Sequence, residues 1–392
     1  MSGQQGDSGT NFRYTFYAQD IRFGAGAVAQ LGDIADACGW RRLMVCTSEG
    51  SRRRGQLALV EQALAGRQVV AYGAVRPHVP EAQVVEATDL AAVHEVDAVI
   101  GLGGGSAIGL AKAVSLAIEG LRTGRPARAA FPTDQPLVPV VAIPTTYAGS
   151  EVTPVYGVTR QEAGGSRKVT VKDAKVTPKV AIYDPALTVS LPAPVSAGTG
   201  IKAVAHCIEA LYSSEGNPLA SAVALDGLRR LADALPRCLA DGADLTARAD
   251  MMTGAFLAGL ALSSVAMGLH HGLCHVLGGT TGASHADANS VMLPHVMRFN
   301  ADTASAPLAR AGAALGVEVG DRPDREAAEA AARHVAQWVG QMGLPQRLRD
   351  IGVSRASLPQ LAAMALANPS VQRNPKPVRD AAELIALLEA AW

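Results

Sequence analysis

The sequence predicts a parallel α/β domain over residues 1–193 followed by an all-helical domain over residues 194–392. Three observations carry this. In the first half, short runs rich in valine and isoleucine alternate with alanine- and leucine-rich stretches of helical spacing. In the second half, apolar residues recur at three and four with few strand-like runs between them. Between the halves lies DPALTVSLPAPVS, residues 184–196, whose three prolines interrupt either periodicity.

RLMVCTS (42–48) is the first clear strand, and helical spacing follows over 57–66. QVVAYGAV (68–75), a helical stretch over 81–94, then VDAVIGLGGG (96–105), LVPVVAIPTT (137–146) and KVAIYD (179–184) continue the alternation. Continuous apolar strands separated by helices imply a parallel sheet covered on both faces. Beyond the joint, VSAGTGIKAVAHCIEALYS, PLASAVALDGLRRLADALPRCLA, TARADMMTGAFLAGLALSS, EAAEAAARHVAQWVGQMG and AAELIALLEAAW each read as a helix. Their alanine richness suits close helix packing.

At 392 residues the chain is long enough for two sizeable cores. Its 48% hydrophobic and 18% charged residues make it globular in composition, far from disorder. Lys plus Arg and Asp plus Glu balance at 35 each, so no global field recruits nucleic acid or an anionic membrane. An anionic ligand must then be held by a local cluster. The five cysteines, Cys38, Cys46, Cys207, Cys238 and Cys274, lie mostly in apolar runs without CxxC spacing. That is the usage of buried reduced thiols in a cytoplasmic protein. The opening MSGQQGDSGT lacks the basic start and apolar core of a signal peptide, and no apolar run is long enough to span a bilayer.

VIGLGGGSAIGLAKAVSLAI passes from a strand through Gly103, Gly104, Gly105 and Ser106 into a helix that starts near Ala107. Glycines let the backbone turn tightly and bring its N–H groups against a ligand, and a helix start offers a positive dipole end. This is the physics of a pyrophosphate cradle. The run is neither the GxGxxG dinucleotide fingerprint after a first strand nor a GxxxxGK[ST] loop, and a ligand-free turn uses similar residues. IPTTYAGSEVTP follows the next strand with Thr145, Thr146, Ser150 and Thr153. These hydroxyls either line a cofactor crevice at the carboxyl edge of the sheet or serve as turn and cap residues.

Six of the nine histidines, His206, His270, His271, His275, His285 and His295, fall in the first half of the helical domain. Lys202 and His206 stand four apart, as do His271 and His275, so each pair shares a helix face. A lone helical histidine is usually a satisfied core residue, whereas several on facing helices point to a metal or proton-transfer site. Three imidazoles would want a carboxylate as the fourth ligand. The turn that should supply it carries Lys202, whose ammonium repels a divalent ion strongly at a partly buried dielectric. The simpler reading is that no metal is bound.

With these residues in view, the chain resembles the iron-containing alcohol dehydrogenase superfamily, whose two-domain fold is shared with dehydroquinate synthase and glycerol dehydrogenase. Most specifically it resembles the maleylacetate reductase branch, from FYAQDIRFGAGAVAQL near residue 17 to the C-terminus. Metal-dependent members carry D-x-x-x-H, a histidine in G-x-x-H-G-x-x-H, and a last histidine before a helix. The corresponding positions are Lys202 and His206, His271, and His285. His275 matches the histidine that lies near the nicotinamide. Lysine in place of the aspartate agrees with the reductase branch, whose members work without a metal. PTTYAGSEVTP resembles that branch's shorter threonine loop, and ANPSVQRNPKP (367–377) resembles its C-terminal signature. LHHGLCHVLGGT follows its L-H-H-x-L-C-H-V-L-G-G-T pattern, with Gly272 in place of lysine. Gly272 and the HADAN that begins at His285 depart from the branch and bear on the substrate.

The resemblance implies a Rossmann-like nucleotide-binding domain joined to the helical domain of the dehydroquinate synthase-like fold. It implies that Gly103, Gly104, Gly105 and Ser106 hold the pyrophosphate of NADH or NADPH, and that Thr145, Thr146, Ser150 and Lys168 lie along the nicotinamide ribose. Thr47 and Ser48 end the first nucleotide-binding strand, where NAD-selective relatives place an aspartate. Serine there, followed by Arg52, Arg53 and Arg54, admits NADPH beside NADH, although the arginines also read as a solvated helix start. The implied activity is metal-independent reduction of maleylacetate to 3-oxoadipate in aromatic compound catabolism, by a homodimer. The alternative is an alcohol or aldehyde dehydrogenase acting on another small anionic substrate. Hydride addition to a double bond conjugated to a ketone develops charge on an enolate, which hydrogen-bond donors or an ammonium stabilise without a Lewis acid. A dicarboxylate also needs local cations. Lys202 and His206 are therefore expected to bind the substrate or stabilise the enolate, and His271, His275 and His285 to orient it or relay a proton. Lys376 in NPKP is a further candidate cation.

Overall fold

The computed structural model describes residue 12, residues 14–162 and residues 165–392; the polar N-terminal stretch read for a signal peptide lies outside them. The described chain packs into two compact units. One comprises Tyr17–Gly200 and Ala234–Gly259; the other comprises Ile201–Asp233 and Leu260–Trp392, with the described residues before Tyr17.

In the first unit, β1 (Asp20–Phe23), β2 (Arg42–Thr47), β3 (Gln68–Tyr72), β4 (Ala98–Gly103), β5 (Val140–Pro144), the pair β6 (Val155–Glu162) and β7 (Gly165–Lys172), and β8 (Val180–Tyr183) follow one another. Six of them form a parallel sheet in the order β1-β8-β5-β4-β2-β3, and β6 and β7 form a separate antiparallel hairpin. Helices α1 (Leu31–Cys38), α2 (Glu49–Arg53), α3 (Gln56–Ala63), α4 (Glu81–Val93) and α5 (Gly105–Thr123) lie between strands.

The apolar strand runs divide by alternation. Leu43, Val45, Ile100, Leu102, Val141 and Ile143 pack with residues of α1 and α3, whereas Met44, Cys46, Val99 and Val140 pack with residues of α4 and α5. Burial of both faces is why these strands read as unbroken apolar runs. β1 and the β6–β7 hairpin add to the strands read from sequence. β1 is a short, mostly exposed edge strand paired with β8, and the hairpin mixes its apolar residues with charged ones.

Sheet order reverses beside β2: the chain passes outward to β3, then returns past β2 to β4 and β5. Ligands of such sheets bind outside the strand carboxyl ends at the reversal. Topology therefore brings the end of β2, Thr47 and Ser48, next to the glycine run that closes β4.

The remaining helices are α6 (Ala193–Tyr212), α7 (Pro218–Ala240), α8 (Leu245–Ser264), α9 (Leu269–Thr281), α10 (His285–Asn300), α11 (Ser305–Ala314), α12 (Asp324–Gln341), α13 (Leu358–Leu366), α14 (Pro369–Gln372) and α15 (Ala381–Ala391). The core of the helical unit joins Leu273 and Leu277 of α9 to Val291 and Met292 of α10, Leu361 of α13 and Leu388 of α15. No single helix among the described residues is long and apolar enough to cross a membrane. All five cysteines are free, and four are buried.

Candidate active site

β4 ends at Gly103, whose φ of 141° is a conformation that side-chain-bearing residues rarely adopt. Gly104 follows as the N-cap of α5, so no cap side chain takes up the first amides of α5. Gly105 and Ser106 form its first turn. Thr145 donates its N–H to the Gly103 carbonyl at 3.0 Å, which sets the threonine loop beside the glycine turn. Thr145 is buried, and Thr146 and Ser150 are half-buried.

Thr47 is fully buried, and its hydroxyl donates to the Leu102 carbonyl at 2.9 Å, fastening β2 to β4. The Ser48 hydroxyl caps α2 by accepting the Ser51 N–H at 3.2 Å. Both hydroxyls are thus engaged within the fold. Arg52 pairs with Glu49 at 3.1 Å on an exposed surface, as a solvated helix start does. Lys168 is half-buried on β7, opposite Thr159.

Sequence reasoning passed over Lys112 in α5. It is fully buried, and its Nζ donates to the carbonyls of Ser150 and Thr153, both at 2.6 Å, and of Val155 at 3.0 Å. It thereby ties the segment after the threonine loop to the helix that starts at the glycine turn. Burial pushes this lysine down to about 7, while Glu151 pulls the other way. A lysine inside LAKAVSLAI was the available signal.

In the helical unit, α6 carries Lys202, His206 and Glu209 at i, i+4 and i+7, on one face. His206 and Glu209 are buried and Lys202 is half-buried. α9 supplies His270, His271, Cys274 and His275, and α10 begins at His285. The imidazoles form a row, with ring centroids 4.9 Å apart for His206 and His271, 6.3 Å for His271 and His275, and 5.4 Å for His275 and His285. Lys202 is close enough to disfavour charge on both His206 and His271. The fold thus gathers Lys202, His206, His271, His275 and His285. His295 instead lines a hollow with Arg347 and Trp392, and the Lys376 ammonium lies over the Phe299 ring at 4.3 Å.

The residue that sequence reasoning missed here is Glu209. Its Oε1 accepts the Gly268 N–H at 2.7 Å, at the start of α9. Its Oε2 accepts a short hydrogen bond from His271 Nδ1 and lies 3.7 Å from His270 Nδ1. Burial alone would raise this carboxyl, but the two imidazoles hold it well below the usual carboxylate range. His270 pairs with the Asn289 carbonyl through Nε2 at 3.3 Å; burial opposes its charge, yet Cys274 and Glu209 outweigh burial and raise it. His206 is lowered by burial, then by His271 and Lys202. His271 is lowered by burial against the pull of Glu209, with His270 and Lys202 adding to the decrease. Positive charge beside the buried carboxylate is therefore favoured on His270 and disfavoured on His271 and His206. Among the described residues, neither His271 Nε2 nor His206 Nδ1, both buried, has a hydrogen-bond partner. The sequence did carry a signal for Glu209: an acid within the apolar HCIEA, seven residues from Lys202 on the same helix stripe.

Two groupings of side chains come near the make-up of a metal site. Ligand atoms of Glu209, His270 and His271 lie within 4.8 Å of one another. Both oxygens of Glu209 are already engaged, however, one by the Gly268 N–H and the other by His271 Nδ1. At the positions where the resemblance would place iron, Lys202 stands near His206 and His271, and its ammonium opposes the charge of a divalent ion where a carboxylate would attract it.

The C-terminal signature acts on α9. Asn374 accepts the Leu269 N–H at 3.3 Å and exchanges amide hydrogen bonds of 3.2 and 2.6 Å with Asn300. A Cβ on Gly272 would lie 2.6 Å from Val371 Cγ2 and 3.2 Å from the Val371 nitrogen, so glycine permits α14 to lie directly on α9.

A doubly wound sheet with a glycine turn at its reversal, carried with a helical unit that holds a row of imidazoles, defines a two-domain nicotinamide-dependent oxidoreductase. The chain belongs to the iron-containing alcohol dehydrogenase family: the iron-containing alcohol dehydrogenase model matches residues 18–185, and the Fe-containing alcohol dehydrogenase family C-terminal model matches residues 196–392. It is 37% identical over 360 residues to the maleylacetate reductase of Sphingobium indicum, covering 92% of each chain. It is 38% identical over 374 residues to the maleylacetate reductase of Burkholderia cepacia, covering 95% of each. The crystal structure of maleylacetate reductase from Agrobacterium tumefaciens matches with a TM-score of 0.81 at 32% identity, over 98% of each chain.

Proposed function

We propose that the chain reduces maleylacetate to 3-oxoadipate with NADH or NADPH, without a metal, as a cytoplasmic homodimer. The observation that carries this reading is Lys202 one turn before His206, in a chain whose relatives are named for that reaction. Bound NADH or NADPH would supply a hydride to the alkene carbon β to the ketone, which places the negative charge on the ketone oxygen. The resulting enolate takes a proton at its α carbon, so each turnover consumes one NAD(P)H and one proton. Gly103, Gly104, Gly105 and Ser106 hold the pyrophosphate. Thr145, Thr146, Ser150 and Lys168 line the nicotinamide ribose, and the end of β2 at Thr47 and Ser48 meets the adenosine ribose. The absence of an acid at Ser48 supports acceptance of NADPH.

Lys202 and His206 bind a substrate carboxylate or the enolate, and His271, His275 and His285 orient the substrate and relay the proton. An ammonium about 4 Å from the enolate at an effective dielectric of about 20 contributes about 4 kcal/mol, roughly a thousandfold in rate. Lys202→Asp is therefore expected to lower kcat on maleylacetate by about that factor. The test is NADH and NADPH oxidation on maleylacetate with and without chelator, together with metal analysis of the purified protein. Chelator-insensitive turnover supports the reading. Stoichiometric tightly held metal with no activity on maleylacetate would sink it, and full activity of Lys202→Asp would reduce the lysine to a bystander. A second reading, oxidation or reduction of another small anionic alcohol or aldehyde, is favoured by Gly272 and the close approach of α14, and the same assay with a substrate panel separates the two.

A further inference from the structure

We propose that Glu209 is a positioning residue that sets the tautomer of His271, keeping the proton on Nδ1 and leaving Nε2 as a bare acceptor. This deepens the proposed function, since it rests on reading the histidine row as the substrate site.

The argument is one of hydrogen-bond polarity. An ionised carboxylate only accepts, so the nitrogen that faces Glu209 Oε2 must donate. That nitrogen is His271 Nδ1. A neutral imidazole carries one N–H, so the second nitrogen, Nε2, is left with its lone pair. It is buried and has no hydrogen-bond partner among the described residues.

Glu209 cannot swing away to relax the constraint. Its other oxygen is held by the Gly268 N–H at 2.7 Å, and the residue is wholly buried on α6. The His271 ring is also held on its face, because His206 stacks on it with centroids 4.9 Å apart and ring planes 29° apart. One carboxylate on its edge and one imidazole on its face thus fix both the orientation and the tautomer of His271. Carboxylate-to-imidazole contacts of this kind recur behind catalytic and metal-binding histidines because they decide which nitrogen works.

In the proposed reaction, Nε2 takes a proton from the relay and the imidazolium is stabilised by the carboxylate at its other end. The N–H bond then breaks, a C–H bond forms at the α carbon of the enolate, and the electron pair of the N–H bond stays on Nε2. Glu209 remains a carboxylate throughout.

Glu209→Gln tests this. The glutamine oxygen can still accept the Gly268 N–H, which turns the amide NH₂ toward His271 Nδ1. An amide nitrogen donates and does not accept, so the imidazole proton must move to Nε2. The measurement is the ring ¹⁵N spectrum of the full-length protein labelled at histidine, with His271 assigned by its loss in His271→Gln. Expected are a protonated Nδ1 in the wild type, a protonated Nε2 in Glu209→Gln, and a fall in kcat of about 10²–10⁴-fold, the scale seen when an oriented imidazole is held in the wrong tautomer. NADH affinity should be unchanged. A merely structural role for Glu209 would lower stability and turnover without moving the proton.

A wild-type His271 protonated at Nε2 overturns the proposal, as does a variant whose proton stays on Nδ1 or whose turnover is unaffected. Should Glu209→Gln fail to fold, the wild-type spectrum still decides. Should the wild type prove inactive on maleylacetate, the substrate assignment falls while the ring spectrum tests the tautomer independently.

Discussion

Replacing Lys112 by methionine keeps the length of the side chain and removes its three donors. The carbonyls of Ser150, Thr153 and Val155 then lose the ammonium. Ser150 keeps the Thr153 N–H at 3.4 Å, and the Thr153 hydroxyl, 3.4 Å from the Val155 carbonyl, can serve that one, which leaves the Thr153 carbonyl unsatisfied. One buried acceptor without a partner costs about 1–3 kcal/mol. Relief of the desolvated ammonium returns part, for a net loss of about 1–2 kcal/mol. Urea unfolding should show the lower midpoint. Calorimetry should show NADH binding weakened about tenfold or more, equivalent to about 1.4 kcal/mol, because the segment after the threonine loop is no longer tied to α5. The pH dependence adds a second check. Burial pushes Lys112 down to about 7 from the ordinary 10.5, so between those values the unfolded chain binds a proton that the folded chain does not. Stability contributed at this site therefore rises with pH across that window. The advantage of wild type over Lys112→Met should widen from about pH 7 upward. A variant as stable as wild type with unchanged NADH affinity refutes the reasoning, and so does an advantage that shrinks with pH.

Gly103→Ala would force an alanine to a φ of 141° with its Cβ 3.1 Å from that of Ala107, so strain of about 1–3 kcal/mol should appear as weaker NADH binding by calorimetry. Gly272→Ala should destabilise the helical unit by about 1–3 kcal/mol, because its methyl would lie 2.6 Å from Val371 Cγ2; thermal unfolding checks this, and NADH affinity should not change. Acid should destabilise the protein early. His206 and His271 are lowered, and His295 is pushed to about 4 by burial and Arg298, so the unfolded chain protonates first and stability falls as pH drops below 6.5. His270, raised, has its contribution fully in place below 6.5 and loses it only as pH rises, so it does not mask the decline. Glu209, depressed below its ordinary 4.5, adds a further loss only under that value. Urea midpoints measured from neutrality downward read the slope, and a midpoint unchanged between about pH 7 and 5 would contradict these assignments.

Much of the fold was legible because its signals are local. Valine-rich runs between helices specified a sheet buried on both faces, and those strands formed where the runs lie. The edge strand β1 and the β6–β7 hairpin were not read, because mixed polarity hides a strand whose apolar residues occupy only part of its length. In the site, helical spacing was enough to set Lys202 beside His206 and His271 beside His275. It did not reveal what stands opposite each pair.

By itself, then, the sequence determined the two textures of the chain, the glycine turn after a strand, and the lysine where a metal site would want an acid. Only the tertiary structure decided that Glu209 meets His271 across 62 positions, that His206 stacks on that same ring, that Lys112 spans to the loop after Thr146, and that Lys376 rests on Phe299. The physical reason is range. Period and composition register which face of an element is apolar, whereas the polarity of a buried hydrogen bond is settled by whichever group another helix brings to it.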